Sequence, residues 1–416
     1  MKRIEKTCLS VLLALVLIPI CAQQDPSRLN WTIGLPLLTA KKQWLRPELQ
    51  QVLLRSGISL QGTRTRMSAF LRGRKIFSIP ATEILLISDQ DDIVTQVDII
   101  FSDKGDKPNR MGAVGIKAAG KSLKTVLTDS LGNPVKGKFG LKGFQQDVLI
   151  WKYGTVRFLL ETVRKEYTIL HICYSGESEK GFDKKDLQQF QRKDFSDNIQ
   201  TNGFGDVYID NIPMANQGDK GYCVPATLER VLRYYGISQV SMHQLAAAFE
   251  TKGKRGTSFS NMVQAIQHMD SGLDIHPCEE IELKTLKKFI DQGIPVLWGM
   301  YINRSLMELM RTSRARRPKA KTPGQWLKSI QQYNLPRGGR RHMCLIVGYN
   351  ARTGEIAISN SWGDRESIPA WIPLKLAFRI SQKTSFVLIP SEKKQSMTAE
   401  IERNEEKKGK KKIRQR

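Results

Sequence analysis

Three residues, far apart in the chain, could together carry out nucleophilic acyl transfer. Cys223 follows Asn216-Gln-Gly-Asp-Lys-Gly-Tyr and opens Val-Pro-Ala-Thr-Leu-Glu-Arg-Val-Leu-Arg-Tyr-Tyr-Gly. Within that run Val224, Leu228, Val231, Leu232 and Tyr235 recur at helical spacing, one apolar face of a buried helix. Pro225 stands where a first-turn proline is tolerated, and Gly236 supplies the stop. Cys223 therefore lies at a helix N-terminus, where unpaired amides and the helix dipole favour a thiolate. Gln217, six residues upstream, carries an NH2 able to reach back over the same turn. A helix-start amide plus one side-chain donor make up an oxyanion hole. His342 stands near the start of an apolar run that ends in Val347-Gly348-Tyr349. Asn360 closes the next such run, Ile356 to Ser359, ahead of Ser361-Trp362-Gly363. A cysteine, a histidine and an asparagine supply a thiolate, its base and an amide to orient the base. Asp364 competes for the third place, but its polar turn reads as a turn former, and Asn360 ends the strand next to that of His342. His243, His268 and His276 fall on predicted helices or their ends, lack partners in sequence, and read as structural.

The elements that must hold these residues follow in order. Amphipathic helices with plausible caps are expected at Ser241–Glu250, Ser258–Met269 and Ile281–Asp291. Strands are expected at Ile294–Tyr301, through the His342 run, at Glu355–Asn360 and at Thr384–Ile389. The cysteine thus belongs to a helical half and the histidine and asparagine to a β half. Between the first two of these strands, Asn303 to Arg340 is rich in Arg and Lys around Pro323-Gly324 and Trp326. It reads as a long surface loop that passes the cleft rim on its way into His342.

Taken as a set, Gln217 ahead of Cys223, the His342…Val347-Gly348-Tyr349 strand and Asn360-Ser361-Trp362-Gly363 resemble the papain-like cysteine peptidases. The Cys-Val-Pro-Ala run before a helix ending Arg-Tyr-Tyr-Gly is more similar to the bacterial double-glycine leader peptidases of that clan. The resemblance spans residues 205–390. It implies a two-lobed domain, helical lobe then β lobe, with the cleft between. It also implies peptide-bond hydrolysis through a thioester acyl-enzyme, with Trp362 covering the His342–Asn360 pair and no cofactor. The chain departs from the pattern at Val224, where papain has tryptophan and the leader peptidases usually glycine. Lys220 replaces a disulfide cysteine of papain, and Asn360 stands where the leader peptidases typically use aspartate. These differences bear on substrate preference. Two other readings use the same fold: an amidase or transpeptidase acting on cell-wall or isopeptide amides, and a basic binding protein without turnover.

The 416 residues suffice for two to three domains. Residues 1–22 read as a secretory signal, with Lys2, Arg3 and Lys6, an apolar run from Leu9 to Ile20, and Cys21-Ala22. That run is short for a membrane span. Cys21 raises lipoprotein anchoring, against which Ile20 is large where a small residue is needed. The mature protein is expected to be extracytoplasmic, periplasmic or secreted, without a transmembrane helix. Residues 31–200 read as an N-terminal α+β domain of unassigned function. Its expected helices are Pro47–Leu54 and Met111–Leu131. Its expected strands are Lys75–Ile79, Glu83–Ile87, Ile93–Phe101, Val148–Tyr153, Val156–Thr162 and Tyr167–Cys173. Trp151, Tyr153 and His171 read as core or sheet-face residues, and Lys184–Asp197 as a helix-like connector. The whole chain is thus of α+β class. Residues 391–416, nearly devoid of apolar side chains, read as a basic disordered tail.

The formal net charge of +26 is concentrated between Arg304 and Arg341 and in the tail. Such a surface favours acidic partners, whether peptide, envelope polymer, anionic membrane or nucleic acid, unless it serves solubility alone. After the signal, Cys173, Cys223, Cys278 and Cys344 are too few for a disulfide scaffold; with Cys223 free, either one bridge forms among the other three or all are buried thiols, the favoured reading. No Cys/His spacing suggests a metal site.

Overall fold

The computed structural model describes residues 44–390, apart from 64–65, 72–73, 90, 106–114, 141–144, 175–194, 238–239, 253–255, 270–271, 279–280 and 364–367. The expected signal, the tail, most of the Lys184–Asp197 connector and Asp364 lie outside the described residues. Those described form two compact units, one running to Tyr174 and one beginning at Phe195.

In the first unit, helix α1 (Arg46–Arg55) leads into strands β1 (Gln61–Thr63), β2 (Arg66–Phe70), β3 (Lys75–Ile76), β4 (Ile79–Pro80), β5 (Glu83–Ser88) and β6 (Val94–Asp103). Helix α2 (Ile116–Leu131) follows, then β7 (Val135–Phe139), β8 (Gln146–Tyr153), β9 (Val156–Val163) and β10 (Tyr167–Cys173). Eight of these strands form one sheet in the order β1-β2-β5-β6-β10-β9-β8-β7. The single strand expected over Lys75–Ile79 is instead the tight β3–β4 hairpin, because Phe77 and Ser78 turn the chain with φ of 52° and 64°. Leu123 and Leu127 of α2 share one core with Ile99, Phe158 and Leu170 of the sheet. Trp151 is buried in that core, as expected. His171 lies on the other face, buried, with Nδ1 2.7 Å from Asp98 and Nε2 2.9 Å from Glu161. Burial alone would depress its pKa, but the two carboxylates outweigh that and hold it up at about 10, as an imidazolium.

The second unit opens with β11 (Ile199–Thr201) and β12 (Asp206–Ile209), then helices α3 (Cys223–Tyr234), α4 (Met242–Ala248) and α5 (Phe259–His268). Next come β13 (Leu273–Pro277), α6 (Leu283–Ile290), β14 (Val296–Ile302), α7 (Arg304–Arg316) and α8 (Pro323–Ser329). The chain finishes with β15 (Arg340–Asn350), β16 (Glu355–Ser359), β17 (Ala370–Pro373), α9 (Leu374–Ile380) and β18 (Ser381–Pro390). The sheet runs β11-β12-β15-β14-β18-β13, with β16 and β17 continuing from β15. Leu228, Val231 and Leu232 of α3, with Tyr235 just past its end, pack against Met343, Leu345 and Val347 of β15. His276 belongs to strand β13 rather than to a helix or its end. The four described cysteines are free thiols, and all but Cys223 are buried.

The stretch from Asn303 to Arg340 is not a loop. Asn303 caps α7 by accepting the amide of Leu306 at 2.9 Å, and Leu306, Leu309 and Met310 form its buried stripe. Thr322 caps α8, whose first residue is Pro323. Arg317, just past α7, is drawn inside by both oxygens of Asp206 at 2.7 Å and by Glu355 at 3.0 Å. Its guanidinium lies 4.5 Å from the ring of Phe204 and 4.3 Å from that of Trp371. Trp326 joins the same group, donating to Glu355 at 2.6 Å. The density of arginine hid this apolar stripe from a sequence reading.

Candidate active site

Cys223 is the first residue of α3. Nothing caps that helix start through a side chain, and Gly236 ends the helix with φ of +90° and its amide on Arg233. Thr227, one turn on, donates its hydroxyl to the carbonyl of Met343 at 3.2 Å, fastening helix to strand beside His342. The backbone amides of Met343, the residue after His342, of Val224 and of Cys223 itself favour the charged form of the Cys223 sulfur.

The electrostatics differ from the sequence expectation. Burial pushes the Cys223 thiol above its ordinary value, and the three amides and Arg340, which favour the thiolate, do not reverse this. Burial therefore works against the thiolate that the helix start favours. The residue as a whole keeps partial solvent contact. His342, 5% exposed, is pushed down to about 4 by burial, with Arg340 acting in the same direction and the bond to Asn360 opposing. Burial thus favours the uncharged form of each group.

His342 and Asn360 stand 2.9 Å apart, Nε2 to Oδ1. An amide oxygen only accepts, so Nε2 carries the proton and Nδ1 is left as the basic nitrogen. The indole of Trp362 lies over the imidazole, centroids 4.7 Å apart at 33°. Asn360 is fully buried. Asp364 lies outside the described residues.

Gln217 is held on several sides. Its backbone amide donates to the carbonyl of Ser361 at 2.9 Å, and its Oε1 accepts the Ser361 hydroxyl at 2.7 Å. One N–H of its Nε2 goes to the carbonyl of Lys220 at 3.1 Å. With the oxygen fixed by Ser361, the nitrogen end of the amide is fixed too. Gly363 makes this packing possible: its φ is +99°, and a Cβ there would sit 2.8 Å from the Asn216 side chain. The turns 216–218 and 360–363 thus lock together, carrying Gln217 and Asn360 respectively.

Two supporting residues escaped the sequence reading. Arg230 of α3 is 1% exposed and donates to the carbonyls of Pro213, Ser359 and Asn360 and to the Ser359 hydroxyl. A charged residue seven positions after Cys223, on the same helical face, was its available signal. Gln382 at the start of β18 donates to the main-chain oxygen of His342 at 3.3 Å and left no sequence signal. The arrangement offers a partly buried nucleophile, a buried base with Nδ1 left to accept a proton, and two candidate donors for a developing oxyanion.

Residues 209–379 match the Peptidase_C39 like family. No curated protein matches the chain. Among solved structures it is similar to xylellain, a cysteine protease from Xylella fastidiosa, at 13% identity over 48% of this chain and 89% of that one, with a TM-score of 0.27.

Proposed function

We propose, from the premise that residues 209–379 make this chain a cysteine-type peptidase of the papain-like clan, that it hydrolyses peptide bonds with Cys223, His342 and Asn360. The observation that carries this reading is the 2.9 Å bond from His342 to Asn360, with the helix that begins at Cys223 fastened to the residue after His342 by the Thr227–Met343 bond. Because burial favours the uncharged form of both groups, proton transfer accompanies attack. His342 Nδ1 takes the thiol proton as Sγ bonds to the carbonyl carbon, and Asn360 keeps the other nitrogen protonated. The carbonyl oxygen becomes an oxyanion that the Cys223 amide and the Gln217 Nε2 stabilise. Collapse breaks the C–N bond, and His342 returns the proton to the departing amine. Water, deprotonated by the same nitrogen, then adds to the thioester, releasing the acid and restoring the thiol.

The two-lobed papain-like layout, with the first unit as a separate preceding domain, belongs to this reading. So does an extracytoplasmic location, which rests on the charged and apolar pattern of residues 1–22. The test is incubation of the purified chain with a peptide library, beside Cys223→Ala. Cleavage that disappears in the variant is expected. Intact peptides with the wild-type chain, or cleavage that survives in Cys223→Ala, would overturn the reading.

A further inference from the structure

Strand β14 ends where β15 begins, and Ile302 pairs with Arg340 and Tyr301 with Arg341. Helix α7 starts with Arg304, two residues past Ile302, and its cap Asn303 donates to the carbonyls of Pro336 at 3.2 Å and Gly338 at 3.5 Å. The turn closes tightly: Gly339 has φ of +136°, and a Cβ on it would lie 2.4 Å from the Ile302 oxygen. A helix start, a turn and a strand start therefore bring Arg304, Arg337, Arg340 and Arg341 to the head of the strand that carries His342. All four are exposed, and among the described residues none is in an ion pair with a carboxylate. The nearest acid in sequence, Glu308, is engaged by Arg311 at 2.7 Å. Side chains two apart on a strand share a face, which sets Arg340 on the face of His342 and Arg341 on the opposite one, so that Arg341 adds only to the surrounding charge. Its charge is felt at both Cys223 and His342.

We infer that Arg304, Arg337 and Arg340 of this cluster read acidic side chains of a peptide substrate, on the C-terminal side of the scissile bond. The inference rests on the roles of Cys223 and His342 given above. His342 must return its proton to the departing amine, so the leaving half of the substrate lies over the imidazole. The residues following the scissile bond then pass the head of β15. Acidic side chains there meet guanidinium groups, whereas basic ones are repelled. Between Arg304 and Arg341, Arg317 is neutralised inside the fold and Arg311 pairs with Glu308, and the remaining basic residues of the stretch extend the same potential outward and speed capture of an acidic chain.

The test measures binding without turnover. Cys223→Ala protein is titrated into fluorescein-labelled peptides with a neutral N-terminal half and a C-terminal half of glutamates, glutamines or lysines. A further peptide carries the glutamates in the N-terminal half. The C-terminal glutamate peptide should bind about tenfold or more tighter than the glutamine one at low salt, and salt should erode the difference. Adding Arg304→Ala and Arg340→Ala should remove most of it, and Arg340→Glu should shift preference toward the lysine peptide. Equal binding of the glutamate and glutamine peptides, or of the two glutamate placements, would overturn the inference. So would a single-stranded oligonucleotide that displaces the peptide at equal phosphate concentration, since the cluster would then read any polyanion. Wild-type hydrolysis of library peptides without acidic preference would defeat this inference alone. Preferential binding without any hydrolysis would defeat the proposed reaction alone.

Discussion

Arg230 Nη1 lies 2.9 Å from the carbonyl oxygen of Asn360, a direct bond from the helix that begins at Cys223 to the strand end that orients His342. The same guanidinium holds the Ser359 hydroxyl at 2.7 Å and the Pro213 carbonyl at 2.9 Å. Nucleophile and orienting amide are thereby joined through one buried side chain. Arg230→Met should lower kcat by about tenfold or more, because small displacements of reacting groups are costly, while KM changes little. Arg230→Lys should recover part of that loss. Steady-state kinetics on a cleaved library peptide, with melting curves to separate misfolding, check this. A kcat equal to wild type in Arg230→Met would show that the tie does not position the site.

Replacement of Asn360 by alanine should free the imidazole to rotate and to adopt the wrong tautomer. Single-turnover acylation should fall by at least about tenfold, with residual activity from the thiol and the oxyanion donors. Asp364→Ala should stay near wild type. A large loss in Asp364→Ala beside a mild one in Asn360→Ala would transfer the orienting role to the aspartate.

The resting protonation states set the pH profile. His342, held down at about 4, stays able to accept a proton until the pH falls to that range, so the acid limb of kcat/KM should lie near pH 4. The free Cys223 thiol is shifted upward, so iodoacetamide labelling without substrate should be slow in mild acid and rise into the alkaline range. Rapid labelling of Cys223 at mildly acidic pH would instead reveal a preformed thiolate–imidazolium pair.

Gln217→Ala removes one oxyanion donor and should reduce turnover on the order of a hundredfold, with thiol labelling unchanged. Ser361→Ala should produce a smaller loss, because the Gln217 backbone remains bonded to the Ser361 carbonyl. Turnover within about twofold of wild type in Gln217→Ala would assign the second donor elsewhere.

In the first unit, His171 is raised to about 10 in the fold, against an ordinary value of 6.5. Its contribution to stability is therefore complete below about pH 6.5 and is lost as the pH rises through about 10. Asp98, lowered by the same contact against the effect of burial, works oppositely and loses its contribution in acid. Melting temperature should fall between neutral pH and pH 10, and His171→Gln should flatten that slope. An unchanged slope in the variant would locate the titration at another group.

By itself the sequence determined the elements whose apolar spacing is local. The α3 stripe through Leu228, Val231 and Leu232, the stop at Gly236, and the buried runs before and after His342 are all legible, because periodicity needs only neighbours along the chain. The order of Cys223, His342 and Asn360 was legible for a related reason, since each stands at the end of such an element. What surrounds a charge is not local, and there the tertiary structure decided. Arg317 sits in a stretch of arginines that reads as solvated, yet Asp206 and Glu355, brought from distant strands, bury it and help to order α7 and α8. Arg230 looks like any helical arginine until the carbonyls of Ser359 and Asn360 arrive to receive it. Cys223 has the helix start that favours a thiolate, but dense packing around the sulfur outweighs those amides, because desolvation depends on every atom nearby and not on one helix.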